Sequence, residues 1–206
     1  MIGLGRMGAN MVRRLTAAGH KCVGYDVSAD AIGALTDEGM IGAPSPADLV
    51  AQLTAPRHVW MMVPAAYVGD TVAALAPLLE RGDTIIDGGN SWYRDDIDRA
   101  RSLAADHGID YVDVGTSGGI HGLERGYCLM IGGPDAAVGR LAPIFESLAP
   151  GVDVAERTPS RVRSGEPPGS AEHGWLHCGP SGAVSASTGC VSAPMLAFAS
   201  TFRPSA

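Results

Sequence analysis

Three glycines near the start of the chain have the spacing of a phosphate-binding loop. Gly3, Gly5 and Gly8 form the pattern G-x-G-x-x-G and lead into a stretch with helical character. The first glycine permits a tight turn, the second lets backbone N–H groups approach phosphate, and the third lets the helix pack closely on its strand. The pattern predicts a site for the pyrophosphate of a dinucleotide, with an ordinary strand-turn-helix as the alternative. The other loop residues expected to contact the cofactor are Leu4, Arg6 and Met7.

An acidic residue follows at the distance that ribose recognition requires. Residues 21–25 form a short β-like run that ends at Asp26. This position lies about 20 residues beyond the glycines, where a carboxylate accepts hydrogen bonds from the adenosine ribose hydroxyls. A carboxylate there also repels the additional phosphate of NADP. We therefore expect NAD as the cofactor and NADP to be disfavoured, although Arg6 offers a positive charge within reach of phosphate.

The composition is that of a globular protein with a buried core. The chain has 206 residues, 46% of them hydrophobic, and a formal net charge of −7, which argues against a nucleic-acid partner. Its four scattered cysteines include no C-x-x-C pair, so we expect no metal site. No apolar run has membrane-spanning length, and no signal peptide fits before the glycines. We expect a cytoplasmic protein with no membrane partner.

Apolar runs and helical periodicities alternate along the chain. Strands are predicted at residues 21–25, 58–63, 84–86, 110–114, 127–131 and 175–178. Helices are predicted at residues 7–18, 29–37, 46–53, 68–79, 95–107 and 134–148. This alternation predicts an α/β fold with a doubly wound, Rossmann-type sheet and additional strands. We place this domain at residues 1–178, with an exposed loop at 157–170, and treat residues 179–206 as an interdomain segment and divergent tail.

Three polar, glycine-rich loops follow predicted strands. Ligands bind at the carboxyl ends of the strands in a doubly wound sheet, so we expect these loops to be neighbours. Paired glycines before Asn90 allow close backbone approach, and its side chain offers both a donor and an acceptor. The loop at residues 116–119 combines backbone amides with a hydroxyl, which favours anions. Each loop alone is also compatible with an ordinary turn. The candidate residues are Val63, Pro64, Ala65, Asn90, Ser117, Gly118 and Gly119.

Five segments together resemble one enzyme family. They read GLGRMGANM, MVPA, IIDGGNSWYRDD, YVDVGTSGGIHGLERGYCLMIGG and HCGPSGA. They resemble the N-terminal part of decarboxylating 6-phosphogluconate dehydrogenases, within the β-hydroxyacid dehydrogenase superfamily, and most of all the shorter, NAD-preferring bacterial branch. The resemblance implies hydride transfer from 6-phosphogluconate to the nicotinamide, loss of carbon dioxide and formation of ribulose 5-phosphate, a reaction of the pentose phosphate pathway.

The resemblance also implies roles for the candidate residues. Asn90 would bridge cofactor and substrate and is the catalytic-site residue that the chain retains. The residues implied to bind the dinucleotide are Gly3, Gly5, Gly8 and Asp26, with Val63 and Ala65 on its nicotinamide side. The residues implied to hold the carboxylate end of the substrate are Ser117, Gly118 and Gly119.

The sequence departs from the family pattern after Ala183. In the family, this point leads into a long helix that carries a lysine base and then a glutamate acid. Lys21 is the only lysine of this chain, and no acidic residue follows Glu172. The family's all-helical C-terminal domain, which supplies substrate-phosphate contacts and usually the dimer interface, is also missing. We therefore expect a truncated or frame-shifted, impaired form of the enzyme, and the family's homo-oligomeric assembly is not predicted for it.

Two histidines are further candidate residues, and two other functions are compatible with parts of the sequence. His121 is a candidate proton shuttle in place of the lysine, with a solvated loop histidine as the alternative. His177 stands beside Cys178, but adjacent strand residues point to opposite faces, so we discount a nucleophilic pair. A catalytically silent dinucleotide-binding module is one alternative function, favoured by the missing lysine. A β-hydroxyacid dehydrogenase for a smaller acid is the other, and the Asp-Gly-Gly-Asn-Ser loop argues against it.

Overall fold

The structure is a computed structural model that describes residues 1–154, 162, 165 and 167–186. Its strands are β1 (Val23–Gly24), β2 (Ile41–Gly42), β3 (His58–Met61), β4 (Thr84–Asp87), β5 (Asp110–Ser117), β6 (Cys128–Gly132) and β7 (Trp175–Gly179). Its α-helices are α1 (Arg6–Ala17), α2 (Ala29–Thr36), α3 (Pro46–Ala51), α4 (Ala65–Leu75), α5 (Tyr93–Asp106), α6 (Gly122–Arg125), α7 (Asp135–Leu148), α8 (Ser170–His173) and α9 (Ala183–Ala186). Short 3₁₀ turns cover Ala76–Leu78, Gly119–His121 and Val152–Val154.

The strands form a mainly parallel sheet. Five of them lie in the order β3-β4-β5-β6-β7, and β1 pairs with β2. Ile2 pairs in parallel with both Tyr25 and Met61, so it joins the two groups of strands. The pairing of β5 with β6 is antiparallel, whereas the other strand pairs in the described chain are parallel. The predicted α/β fold with a doubly wound, Rossmann-type sheet is confirmed.

Helices cover both faces of the sheet. Along β3, Val59 and Met61 belong to one hydrophobic cluster, which contains residues of α3 and α4, and Trp60 belongs to the other, which contains residues of α1 and α7. Successive strand residues point to opposite faces, so this strand is buried on both sides. The continuous apolar run in the sequence is typical of such a strand.

Capping residues set where two of the early helices begin. The Ser28 hydroxyl accepts a hydrogen bond from the Ala31 N–H at the start of α2. The Ser45 hydroxyl does the same for Asp48 at the start of α3, and Pro46 occupies the first turn of that helix. Serine at the N-cap satisfies a backbone donor that would otherwise be unpaired. The helix predicted from residue 46 therefore begins where it was expected.

Several predicted boundaries were wrong. The strand predicted at 21–25 is reduced to Val23–Gly24, and helices α4 and α5 begin before residues 68 and 95. Strand β5 runs three residues beyond 114 because its antiparallel partner β6 pairs with Gly115, Thr116 and Ser117. Strand β2 and helix α6 were not predicted. Most of the loop expected at 157–170, and the tail from residue 187 onward, lie outside the described residues.

Candidate functional site

The loops after β3 and β4 and the loop before α1 meet at one edge of the sheet. Gly3 has a φ of +90°, and a Cβ there would lie 2.5 Å from the carbonyl oxygen of Met62. A Cβ on Gly89 would lie 2.5 Å from the carbonyl oxygen of Val63. The backbone of residues 62 and 63 is therefore in direct contact with both neighbouring loops, which was expected for the carboxyl ends of parallel strands.

The glycine loop, residues 3–8, presents unpaired backbone donors. Gly5 is the N-cap of α1, has no side-chain cap, and a Cβ on it would meet no atom within 4 Å. A Cβ on Gly8 would overlap the carbonyl oxygen of Gly3, so this glycine holds the helix tightly against the loop. Within the described chain, no acceptor is found for the N–H groups of Arg6, Met7 and Gly8. The start of α1 is thus an open concentration of N–H dipoles suited to an anion.

Asp26 is tied directly to the glycine loop. Its Oδ2 accepts a hydrogen bond from the backbone N–H of Leu4 at 2.6 Å, and its Oδ1 accepts one from the N–H of Ser28 at 2.9 Å. A carboxylate has about four acceptor positions, so each oxygen can accept a further donor. Because Asp26 is only half-buried, an outside hydroxyl can reach it.

A nicotinamide dinucleotide fits these residues. The open side of Gly5 leaves room for phosphate, the free N–H groups of Arg6 and Met7 supply donors for it, and Asp26 supplies an acceptor for ribose beside the same loop. Arg6, whose side chain is exposed, belongs to the same loop.

The loop after β3 is the second part of the site. Val63 is half-buried against Gly3 and Gly89, while Pro64 and Ala65 are exposed. Pro64 is the N-cap of α4 and Ala65 is its first residue. This short segment therefore presents exposed backbone and small side chains beside the glycine loop. The family resemblance implies that it contacts the nicotinamide side of the cofactor, and this role stays a prediction.

The loop after β4 is held by a buried carboxylate. Asp87 Oδ1 accepts a hydrogen bond from the Gly89 N–H at 2.7 Å, and its Oδ2 accepts one from the Ser91 hydroxyl at 2.7 Å. Between these two anchors, Asn90 is exposed and has a φ of +59°, the only positive value among the described residues that are not glycine. Asparagine tolerates this left-handed region better than most residues. Its amide is thereby presented to the outside at the edge of the sheet.

The loop after β5 is the third of the polar, glycine-rich loops predicted from the sequence. Ser117 is the last residue of β5 and is exposed, Gly118 follows with a φ of +121°, and Gly119 opens a 3₁₀ turn. A small cavity of about 40 Å³ lies between the β4 loop and β5, and Asn90, Ser91 and Gly115 are among the residues that line it. Ser117, Gly118 and Gly119 do not line this cavity.

Beneath Asn90 the structure places a group of acidic residues that sequence analysis missed. The buried carboxylate cluster consists of Asp87, Asp96 and Asp113, each no more than 5% exposed. The Tyr111 hydroxyl lies 2.7 Å from Asp87 Oδ2 and 3.0 Å from Asp96 Oδ1. Arg99 Nη1 lies 3.3 Å from Asp96 Oδ1. The one available signal in the sequence was the interruption of the apolar run of β5 by aspartate at position 113.

The segment after β7 packs onto this cluster. Asp113 Oδ1 accepts a hydrogen bond from the Gly182 N–H at 2.7 Å, and the Ser181 hydroxyl donates to the carbonyl oxygen of Tyr111 at 2.7 Å. A Cβ on Gly182 would lie 2.5 Å from Ile97 Cγ1 of α5, so only glycine allows this approach. Residues 179–186 thus contact the domain predicted to end at residue 178, and that boundary stays a prediction.

Burial and mutual repulsion raise the pKa values of this cluster. Burial, followed by the charges of Asp87 and Asp113, raises the pKa of Asp96 to about 6. Burial also raises the pKa of Asp113 to about 6, against the opposing effect of hydrogen bonds from the backbone N–H groups of Gly182 and Val184. Burial and the nearby carboxylates raise the pKa of Tyr111 strongly, so its hydroxyl remains a hydrogen-bond donor.

The other candidate side chains lie in different settings. His177 Nε2 lies 2.9 Å from the carbonyl oxygens of both Gly133 and Gly179, a structural position that supports discounting it as a reactive group. His121 is exposed at the end of the 3₁₀ turn that follows Gly118. Lys21 precedes β1 and so lies toward the amino ends of the parallel strands, at the edge opposite the three loops.

None of the described helices has the length and apolar character needed to cross a membrane. Among the described residues, no group of three or more histidine, cysteine, aspartate or glutamate side chains is arranged to hold a metal ion.

Comparison with known proteins identifies relatives that are similar in sequence. A 6-phosphogluconate dehydrogenase from Haloferax volcanii, described as NAD(+)-dependent and decarboxylating, is 44% identical over 154 residues, which are 74% of this chain and 50% of that protein. A decarboxylating 6-phosphogluconate dehydrogenase from Haemophilus influenzae is 40% identical over 155 residues, covering 72% of this chain and 32% of that protein. The chain therefore spans half or less of the length of these relatives.

Solved structures give the same fold. The 6-phosphogluconate dehydrogenase of Plasmodium falciparum, studied with NADP+ and with 6-phosphogluconate, matches with a TM-score of 0.71 and 25% identity, over 88% of this chain and 37% of that one. The 3-hydroxyisobutyrate dehydrogenase of Mycobacterium tuberculosis matches with a TM-score of 0.72 and 26% identity, over 92% of this chain and 56% of that one. Both likenesses place the described fold among those of dehydrogenases.

A family model described as the NAD binding domain of 6-phosphogluconate dehydrogenase matches residues 1–156. This stretch contains the glycine loop, Asp26 and all three strand-end loops, so the match covers every predicted site residue. The chain therefore belongs to the 6-phosphogluconate dehydrogenase family of oxidoreductases, and the part that it shares with the family is the nicotinamide dinucleotide-binding domain.

Proposed function

We propose that this chain binds NAD at the glycine loop and 6-phosphogluconate at the loops after β4 and β5, as the cofactor-binding part of an enzyme that oxidises and decarboxylates this sugar acid to ribulose 5-phosphate. Bound NAD supplies the hydride acceptor. The residues of this chain bind and orient the two molecules, which can contribute several kcal/mol to lowering a reaction barrier.

The observation that carries the proposal is the hydrogen bond of 2.6 Å from the Leu4 N–H to Asp26. It fixes the ribose-binding carboxylate beside the open face of Gly5 and the unpaired N–H groups at the start of α1. Phosphate and ribose recognition are thereby brought to one place without a ligand having to organise them. Preorganisation of this kind lowers the cost of binding.

The choice of NAD over NADP follows from the charge at the same position. The Asp26 carboxylate would face the ribose hydroxyls, and a 2′-phosphate there would place two anionic groups side by side. Val27, which follows it, is exposed and carries no compensating charge. Arg6 is the candidate to offset the repulsion, but it belongs to the loop proposed to bind the pyrophosphate.

The proposed substrate site uses Asn90, Ser117, Gly118 and Gly119. Asn90 is held in a left-handed conformation with its amide exposed, so it can accept from a hydroxyl and donate to a carbonyl at once. The exposed Ser117 hydroxyl and the amides of the following glycines form a turn suited to a carboxylate. The Asn90 amide can thus bind a hydroxyl of the substrate, while the Ser117 hydroxyl and the glycine amides can bind its carboxylate, as a polyhydroxylated acid requires.

A second candidate function is supported by the position of Lys21. The only lysine of the chain lies at the opposite edge of the sheet from the three loops, so no lysine is available as a general base beside Asn90. A missing base typically costs a factor of about 10² to 10⁴ in rate. We therefore propose that the 206-residue chain by itself turns over slowly or behaves as a catalytically silent dinucleotide-binding module.

The cofactor proposal is tested by replacing Asp26. In D26N, the side chain keeps its shape but loses its charge, so we expect at least a tenfold loss of NADH affinity and a smaller difference between NADH and NADPH. Nucleotide fluorescence titration of the full chain measures both. The matched control is D37N, which removes an exposed carboxylate at the far end of α2 and should leave both affinities unchanged. Equal binding of NADPH and NADH by the parent chain would contradict the choice of NAD.

The substrate proposal is tested by absorbance of NADH at saturating NAD. We expect 6-phosphogluconate to be bound, as measured by calorimetry, but oxidised far more slowly than is usual for a dehydrogenase. 3-Hydroxyisobutyrate, the smaller acid, should be neither bound nor oxidised. Fast reduction of NAD with 6-phosphogluconate would exclude the silent module, and tighter binding of the smaller acid would overturn the choice of substrate.

A further inference from the structure

We propose that Tyr111 is a positioning residue for Asn90, acting through Asp87. The inference rests on the proposed function of Asn90 as a ligand-binding residue. The chain of contacts runs from the Tyr111 hydroxyl to Asp87 Oδ2 at 2.7 Å, and from Asp87 to the two residues that flank Asn90, through the Gly89 N–H and the Ser91 hydroxyl, each at 2.7 Å.

Asn90 needs such support because of its backbone conformation. A φ of +59° is uncommon for a residue with a side chain, and this left-handed conformation is unfavourable unless the surroundings impose it. The Asn90 side chain is exposed and contributes no hydrogen bond of its own in the described structure. The conformation is therefore imposed by its neighbours, and both of their hydrogen bonds end on the same carboxylate.

The orientation of that carboxylate is fixed from the other side by Tyr111. Asp87 is 3% exposed, so it receives little help from water, and Arg99 lies 3.9 Å from its Oδ2, too far for a hydrogen bond. The Tyr111 ring is 1% exposed and anchored in the hydrophobic core between the sheet and helices α3, α4 and α5. A rigid core residue thus sets the position of a carboxylate that sets the exposed loop.

The single proton of the Tyr111 hydroxyl is shared unequally between two carboxylates. The Tyr111 hydroxyl carries one proton but faces two carboxylate oxygens, on Asp87 and on Asp96. The shorter contact is to Asp87, while Asp96 has Arg99 Nη1 at 3.3 Å as a second partner. Asp113, the remaining acidic neighbour, accepts instead from the Gly182 N–H. The tyrosine proton is therefore committed mainly to the carboxylate that holds the Asn90 loop.

The test compares two buried tyrosines. Y111F removes the hydroxyl that holds Asp87. Y127F removes a hydroxyl that is equally buried but has no hydrogen-bond partner in the described structure, so it is the matched control. We expect Y111F to speed amide hydrogen exchange at Gly89 by about tenfold, as loss of a bond to a charged group predicts, with exchange in α7 unchanged. We expect Y127F to change neither.

A ligand-binding readout separates positioning from general stability. Y111F should weaken binding of NADH and of 6-phosphogluconate by about fivefold to tenfold. In the N90A background, the same substitution should have no further effect, because the residue that it positions is gone. Additive losses in the double variant, or parental affinity and parental Gly89 exchange in Y111F, would overturn the proposal.

The role of Tyr111 can be tested even if the parent chain binds no ligand or if Y111F does not fold. If the parent chain binds neither ligand, the proposed function fails, and the exchange rate of Gly89 still decides whether Tyr111 fixes the loop. If Y111F does not fold, S91A takes its place, because it removes another donor to Asp87 from a half-buried position. S91A should speed exchange at Gly89 and weaken binding, and unchanged values would contradict the proposal that Asp87 supports the Asn90 loop.

Discussion

The glycine loop and the buried carboxylate cluster lie at the same edge of the sheet but are built in opposite ways. The glycine loop works through the absence of side chains, which exposes the N–H groups at the start of α1 and brings α1 close to its neighbours. The cluster works through three buried carboxylates, two of which contact the hydroxyl of one buried tyrosine. One region depends on open space, and the other depends on buried side chains that supply hydrogen-bond partners to one another.

This difference assigns different vulnerabilities to the two regions. Adding an atom to the glycine loop should be costly where the backbone is close and harmless to folding where it is open. Removing an atom from the cluster should be costly because buried polar groups are left without partners. Substitutions that add a group to the glycine loop or remove one from the carboxylate cluster therefore test this difference between the two regions.

The largest effect is expected from adding a methyl group at Gly8. Alanine in a helix is normally about 1 kcal/mol more favourable than glycine, but here its Cβ would overlap the carbonyl oxygen of Gly3. We expect G8A to lower the free energy of unfolding by about 3 kcal/mol, measured by urea denaturation.

The matched substitution is G5A in the same loop. A Cβ on Gly5 meets no atom within 4 Å, and its φ of −61° suits alanine. We expect its free energy of unfolding to change by no more than about 1 kcal/mol, while NADH affinity falls at least tenfold because the methyl group occupies the space left for phosphate. Equal stability of G8A and G5A would show that the loop does not depend on close packing.

The glycine loop could be predicted from the sequence because its requirements are local. The three glycines and the start of α1 lie within eight residues, so their spacing is visible in one short segment. A distant loop adds a further constraint at Gly3, where a Cβ would meet the carbonyl oxygen of Met62. Asp26 is also positioned by a short parallel strand and by contact with Leu4. The alternation of strands and helices was likewise sufficient for the fold, because apolar runs such as 58–61 are buried on both faces.

The carboxylate cluster could not be predicted in the same way. It depends on the pairing of β4 with β5, which places Asp87 opposite Asp113, and on the side of α5 that carries Asp96. A charged residue near the start of a helix normally suggests solvent exposure, and Asp96 was not distinguished from the exposed Asp95 beside it. Only the rotation of α5 on the sheet separates the two. The antiparallel pairing of β6 with β5, which lengthens β5, has no clear signal in the sequence either.

An intermediate effect is expected from the charge of Asp96. Its pKa is raised to about 6 in the folded chain by burial and then by the charges of Asp87 and Asp113, so the folded state holds this proton more tightly than the unfolded state does. The corresponding stability is fully present below about pH 4 and is lost as the pH rises through about 6. The loss should be on the order of 1–3 kcal/mol, from the size of the shift.

The variant D96N isolates this contribution, because other carboxylates titrate over the same range. Hydrogen bonds to the buried Asp83 outweigh its burial and lower the pKa of that group, which gives the opposite slope at lower pH. We expect the stability of the parent chain relative to D96N to decrease between about pH 4 and 7 in urea denaturation. D98N, whose side chain is 76% exposed on the same helix, is the control and should show no such trend. If the difference in free energy of unfolding between the parent chain and D96N did not change with pH, the raised pKa of Asp96 would be contradicted.

The smallest effect is expected from the hydroxyl of Ser181, which joins the segment after β7 to the cluster. It donates to the carbonyl oxygen of Tyr111 at 2.7 Å, and S181A should cost about 1 kcal/mol. We expect faster amide exchange at Gly182, which follows Ser181 in the chain. Exchange at Gly89 should change little, because the Gly182 N–H still donates to Asp113. The control is S102A on the exposed side of α5, which should alter neither rate. If S181A also released Gly89, the segment after β7 would be part of the Asn90 support, and the comparison would extend to a third region.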